Sequence, residues 1–307
     1  MPKKIKDPGL GEQSSEFAQS IMNSDGSFNV NRVNKRTNIL DTYHYLINIT
    51  WTRFFLLAIV AFTAVNVLFA LIYILIGVDQ IMVPTNSVLE NFITALFFSA
   101  QTLTTLGYGY LAPNGMLSGF ISSFEAFLGL SMFAFLTGLI YGRFSKPKAS
   151  IRFSKNLIFR DFNTTKAIMF RLVNNRSNVM IKPKATVTLA LSKLNNKNEY
   201  KRSFYNLKLE REQINYLPTT WTIVHEIDQD SPLIEYKNDE LNLLNAELVV
   251  MITYFDQSFN QEVHQIHAYN FKDLKLNYKF NPAFYYDKDG KLILDFDKID
   301  SITPYKS

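Results

Sequence analysis

TLTTLGYGYL, residues Thr102 to Leu111, sets two glycines around a tyrosine directly after a threonine pair. A GYG triplet alone is a cheap turn. Its surroundings give it meaning. Just before it, Ser87-Val88-Leu89-Glu90 has the S-x-x-E spacing of a helix start, followed by the apolar run FITALFFSA. The expected helix, 88–104, is too short to cross a bilayer and ends at the glycines. Non-helical backbone at membrane depth is tolerated only inside protein or facing water.

Membrane depth is implied by the flanks. Phe54 to Val78 carries no charge over 25 residues, which at 1.5 Å per residue spans roughly 37 Å. Gly119 to Gly142 is equally apolar, with Glu125 as its one charge. The connector Asp79–Ser118 has no Lys or Arg, whereas Lys35, Arg36 and Arg53 precede the pair and Arg143, Lys146, Lys148 and Arg152 follow it. The positive-inside rule then places both termini in the cytoplasm and the connector outside. Leu40, Tyr43 and Ile47 share one helical face ahead of Trp51, the pattern of an amphipathic helix lying on the inner surface.

After Pro147 the composition turns to short alternating strands. Val187, Leu189 and Leu191 alternate with Thr186, Thr188 and Ala190, and seven further strands are expected between Ile151 and Phe296, as in a β-sandwich. The expected organisation is a cytoplasmic N-terminal segment (1–38), a surface helix (39–50), a pore domain (51–149) and a cytoplasmic all-β sandwich (150–307). The pore domain divides into an outer helix 53–78, a pore helix 88–104, a filter 105–109 and an inner helix 116–144.

A dehydrated K+ ion takes about eight oxygens, which inward-pointing backbone carbonyls can supply. Glycine permits the backbone this needs. Carbonyls of Thr105, Leu106, Gly107 and Tyr108, with Gly109 completing the strand, are the candidate K+ ligands, and the Thr105 hydroxyl adds the innermost oxygen. One strand cannot enclose an ion, so four copies, a homotetramer, are implied. The carboxyl end of the pore helix, negative by its dipole, favours a cation beneath the filter.

Other chemistries find little support. There is no cysteine, and net charge is +5 with the basic excess confined to the membrane flanks, so neither thiolate chemistry nor a nucleic-acid footprint is expected. No enzyme signature and no cofactor are expected. His264 and His267, three apart in a strand, fall on opposite faces. His225 reads as a strand or interface residue. Asp287-Lys288-Asp289-Gly290 reads as a hairpin turn without the distal ligands of a calcium loop. Glu125 is expected to hydrogen-bond inside the protein behind the filter.

DGSFNVNR (25–32), DTYHYLINITWTRFF (41–55), the filter, GRFSKPKASIRFS (142–154), FRLVNNRSN (170–178) and TWTIVHEIDQDSPL (220–233) together resemble the inward-rectifier potassium channel family, above all its prokaryotic branch. The resemblance implies a tetrameric K+ channel of the bacterial plasma membrane with an immunoglobulin-like cytoplasmic assembly. It also implies a gate at Tyr141, a hinge at Gly129, a cavity position at Phe133 and a cytoplasmic constriction at Tyr254–Asn260. Juxtamembrane cations attract anionic head groups by about 1 kcal/mol each; Trp51, Arg53, Arg143, Lys146, Lys148 and Arg152 are the candidate site for anionic lipids, including phosphoinositides. Departures from the family pattern are Leu106 for Ile or Val, and Gln101 with Tyr110 and Leu111 in place of a Glu–Arg brace. Phe133 in place of an acid predicts weak cavity block. Two alternatives are a poorly selective cation channel and a membrane-anchored β-sandwich sensor with a non-conducting loop.

Overall fold

The computed structural model describes residues 4–15, 20–23, 26–34, 39–147, 149–195 and 198–305. The chain forms two compact units, Asn34–Lys146 and the remainder, Met1–Val33 with Pro147–Ser307.

The helical unit contains α1 (Ile39–Asn48), α2 (Trp51–Ile76), α3 (Val88–Leu103) and α4 (Met116–Ser145). Thr50 caps α2 through its side chain on the Arg53 N–H, and Ser87 caps α3 on the Glu90 N–H. Only this half of the expected capping box forms, because the Ser87 N–H is taken by the Thr85 hydroxyl at 3.3 Å. α2 and α4 are each long and apolar enough to cross a membrane. Most of their surface is uncovered within the chain: Ile59 is 61% exposed and Leu75 84%. Such faces are at home against lipid or further copies. Between them, Phe69, Ala70, Tyr73, Ala95 and Phe98 make a small core where α2 meets α3.

The second unit is a two-sheet sandwich. Its strands are β1 (Lys4–Ile5), β2 (Ile151–Phe153), β3 (Leu157–Phe162), β4 (Thr165–Asn174), β5 (Met180–Leu194), β6 (Tyr200–Leu207), β7 (Thr220–Glu226), β8 (Ala246–Asp256), β9 (Gln261–Asn270), β10 (Leu274–Leu276), β11 (Tyr278–Phe280), β12 (Phe284–Tyr286), β13 (Leu292–Leu294) and β14 (Ile302–Pro304). One sheet runs β1-β6-β5-β8-β9; the other runs β10-β3-β4-β2 with β7 also on β4. Val187, Leu189 and Leu191 point into the core, as their alternation requires, and meet Phe159, Phe170, Leu172 and Ile223 of the facing sheet. The opposite side of β4 is covered too: Ala167 and Met169 pack with Tyr278, Phe280 and Ile302 of the β11–β14 pair. The 287–291 segment is a hairpin turn between β12 and β13, with the Asp287 carboxylate accepting from the Asp289 and Lys291 N–H groups.

The N-terminal segment is more ordered than its polarity suggests. β1 pairs with β6, and Gln13 bridges to Lys201. Buried Glu247 accepts from the Ser20 hydroxyl and from the Ile21 N–H. Gly26 has φ +83°, and a Cβ there would lie 2.0 Å from the Ile266 carbonyl oxygen, so only glycine fits.

Candidate functional site: the filter segment and its supports

Helix α3 ends at Leu103. The Thr104 N–H still reaches the Ala100 carbonyl at 3.1 Å, and the Leu106 N–H reaches that of Gln101 at 2.8 Å. The backbone then alternates: φ is +58° at Thr105, +54° at Gly107 and +85° at Gly109, while Leu106 and Tyr108 are not positive. Alternating left-handed and ordinary residues turn successive peptide groups the same way, N–H to one side and C=O to the other. Nothing lies within 4 Å of a Cβ built on Gly107 or Gly109. These glycines are needed for their φ and not for room. Thr105 tolerates a left-handed φ without being glycine, a strained state of the kind that clusters at functional sites.

Beneath the segment lies a mostly apolar hollow of about 460 Å³, lined by Thr104, Thr105, Gly129, Leu130, Phe133 and others. Of the expected pore residues, Thr105, Gly129 and Phe133 therefore meet at one place. Gly129 is buried there, and a Cβ on it would sit 1.9 Å from the Leu103 carbonyl oxygen. Its visible duty is to let α4 approach the end of the pore helix. Phe133 and Tyr141 are both largely exposed within the chain. Tyr254 belongs elsewhere. It lies in β8 of the other unit with its side chain in the sandwich core, 3% exposed. A side chain buried that way cannot narrow a passage, which corrects the expectation at this residue. The solvent-facing residues of that hairpin are Phe255, Gln257, Ser258 and Asn260.

The residues of the expected lipid site are divided between the two units. The Arg143 guanidinium donates to the carbonyls of Leu46 (2.5 Å) and Ile49 (2.7 Å) at the end of α1. It also lies 4.4 Å over the Trp51 ring and 4.7 Å over that of Phe54. A cation there satisfies orphan carbonyls and complements the helix dipole. Arg143 thus directs its guanidinium to internal bonds. Lys146 donates to the Asn48 side chain at 2.5 Å and keeps further N–H groups. Gly142 sits under Tyr43 and Ile47, where a Cβ would find the Tyr43 hydroxyl at 3.2 Å. Arg53 is exposed. Arg152, in the sandwich unit, pairs with Asp300 at 3.1 Å, which offsets its charge. Lys148 lies outside the described residues.

Sequence reasoning anticipated an internal bond for Glu125 but not its partners. Glu125 is fully buried against Tyr73 and Ser99, and Ser99 also touches Asn66. The signal was present as an asparagine inside an uncharged span. No group of His, Cys, Asp or Glu suited to a metal occurs among the described residues.

Comparison with known proteins bears on the family of the chain. The family model described as the inward rectifier potassium channel C-terminal domain matches residues 151–306, and one described as an ion channel matches residues 60–146. The inward rectifier potassium channel Kirbac3.1 of Paramagnetospirillum magnetotacticum is 34% identical over 92% of this chain and 95% of its own. The G protein-activated inward rectifier potassium channel 2 of Mus musculus is 24% identical over 91% of this chain and 70% of its own. A likeness to the crystal structure of the sporulation control protein Spo0M of Bacillus subtilis has a TM-score of 0.24 at 8% identity, over 45% of this chain and 59% of that one, too weak to bear on the fold. These families are ion channels and not enzymes. With matched models over both its units and a relative aligned nearly end to end, the chain belongs to the inward rectifier potassium channel family.

Proposed function

We propose that four copies of this chain conduct K+ passively through a filter built from the carbonyls of Thr105, Leu106, Gly107 and Tyr108, with both termini cytoplasmic. The observation that carries this is the alternation of left-handed φ at Thr105, Gly107 and Gly109, directly after a capped helix too short to span. The hollow under Thr105 serves as the cavity, and Phe133 gives it an aromatic wall in place of a carboxylate ring. Block by cytoplasmic polyamines or Mg2+ is accordingly weak. Gating acts where α4 ends, at Tyr141, and is coupled to α1 through Gly142, Arg143 and Lys146. Anionic head groups act on Arg53, Lys146 and Lys148, with Trp51 as the interfacial anchor.

The test is uptake of radiolabelled Rb+ into liposomes, with Na+ competition and barium block. Uptake blocked by barium and indifferent to Na+ is expected. Uptake suppressed by Na+ would mean a poorly selective pore, and no uptake would leave a membrane-anchored sensor.

A further inference from the structure

Four side chains, Asn66 and Tyr73 of α2, Ser99 of α3 and Glu125 of α4, form one buried polar chain among apolar helices. Tyr73 Oη lies 2.7 Å from Glu125 Oε2. Ser99 Oγ lies 2.5 Å from Glu125 Oε1 and 3.1 Å from Asn66 Oδ1. Asn66 Nδ2 donates to the Phe62 carbonyl at 2.7 Å. Because that carbonyl can only accept, the Asn66 amide is oriented, and its oxygen must face Ser99.

Protons can now be counted. Three oxygen–oxygen contacts, Tyr73–Glu125, Glu125–Ser99 and Ser99–Asn66, each need one. Tyr73 and Ser99 supply one apiece. The third has one available source, the carboxyl of Glu125. Its surroundings agree: Tyr73 from α2 and Ser99 from α3 face it, and no Lys, Arg or His pairs with it among the described residues. An ionised carboxylate buried without a cation is costly, whereas a neutral acid with both oxygens bonded is not.

We propose that Glu125 is held as a neutral carboxylic acid and is the positioning residue that docks the pore helix. The hydrogen bonds then run one way, from Tyr73 to Glu125, to Ser99, to Asn66, to the Phe62 carbonyl. Docking occurs at two successive turns. Ser99 meets Glu125, and four residues further along each helix the Leu103 carbonyl fits against Gly129. Leu103 is the last residue of α3, so this grip sets where Thr104 and Thr105 begin. Its consequence for ion selection rests on the filter reading above.

Glutamine is the mimic of a neutral glutamic acid, with an N–H donor toward Ser99 and a carbonyl acceptor toward Tyr73. Glu125→Ala and Ser99→Ala, in the full-length channel, are expected to lose Rb+-over-Na+ discrimination by about tenfold, the size of one buried polar group left unpaired. Glu125→Gln is expected to restore it. The infrared difference spectrum of wild type minus Glu125→Gln, at neutral pH, should contain the C=O stretch of a protonated acid. Carboxylate bands alone, or Glu125→Gln failing like Glu125→Ala while assembling normally by size exclusion, would overturn the proposal. If Glu125→Ala does not fold, Ser99→Ala, Glu125→Gln and the infrared band still decide. If wild type shows no K+ selectivity the filter reading fails, and the infrared band decides the protonation by itself.

Discussion

Gly129 shows how much one missing methyl can carry. A Cβ at this position would meet a backbone oxygen at 1.9 Å, an atom that no rotamer change can move aside. Gly129→Ala must therefore push the end of the pore helix off α4, at a cost of roughly 1–3 kcal/mol typical of overpacking. A lowered melting temperature of the detergent-purified channel, with weakened ion discrimination, is the expected outcome. Gly138→Ala, on the same helix with nothing within 4 Å, should leave both unchanged. His225 poses a different question at the same scale. Its Nδ1 lies 2.7 Å from the Lys208 carbonyl and must carry the proton, so Nε2 accepts from the Ser231 hydroxyl at 2.8 Å. Burial disfavours the charged ring and pulls its pKa below the ordinary 6.5. The folded state then binds fewer protons than the unfolded one between that lowered value and 6.5. Stability is present in full above pH 6.5 and falls as the pH drops through this window. A denaturation series from neutral to mildly acid pH should show the slope, and His225→Gln should flatten it.

At the scale of elements, helix α1 and the end of α4 are joined by cation-to-carbonyl bonds as well as by packing at Gly142. That distinction separates two kinds of basic residue. Arg143 spends its guanidinium on Leu46, Ile49, Trp51 and Phe54, while Arg53 and Lys146 retain donors. On the gating proposed above, Arg143→Leu should change flux by the same factor in neutral and anionic liposomes, since it uncouples α1 from the end of α4. Lys146→Ala should change the ratio of flux between the two lipid compositions. A lipid-dependent effect of Arg143→Leu would return it to the head-group site. These elements also show what the sequence made legible. The spans, the capped pore helix and the sandwich strands follow from charge-free length, a Ser87 cap and period-two alternation, all local signals. Neither the burial of Tyr254 nor the committed state of Arg143 is local. Tyr254 alternates correctly for either face of β8, and only the pairing of β8 between β5 and β9 decides which is inside. Arg143 reads as a juxtamembrane cation until α1 folds back to present its last carbonyls. Likewise, β1 gains strand structure from β6 and not from its own lysine-rich sequence.

The whole molecule has a problem that no single copy solves. On the filter reading proposed above, each filter strand turns a row of carbonyls to one side, and four rows brought together repel unless a cation lies between them. The assembled channel should therefore be a K+-binding state, stabilised by RT ln(1 + [K+]/Kd), or about 2.7 kcal/mol at a hundred times Kd. Heating the purified channel in K+, and again in choline, should give a higher dissociation temperature for the tetramer in K+, with Na+ a poor substitute. Gly107→Ala tests whether the filter backbone is the source. No atom lies within 4 Å of its added methyl in its own chain, so the strain comes from a left-handed φ of +54° on an L-residue, about 1 kcal/mol or more in each copy. The expected result is a tetramer that still forms in choline but gains little from K+. Equal stabilisation of wild type and variant by K+ would move the binding site away from this strand. The absence of any K+ effect in wild type would refute the carbonyl filter itself.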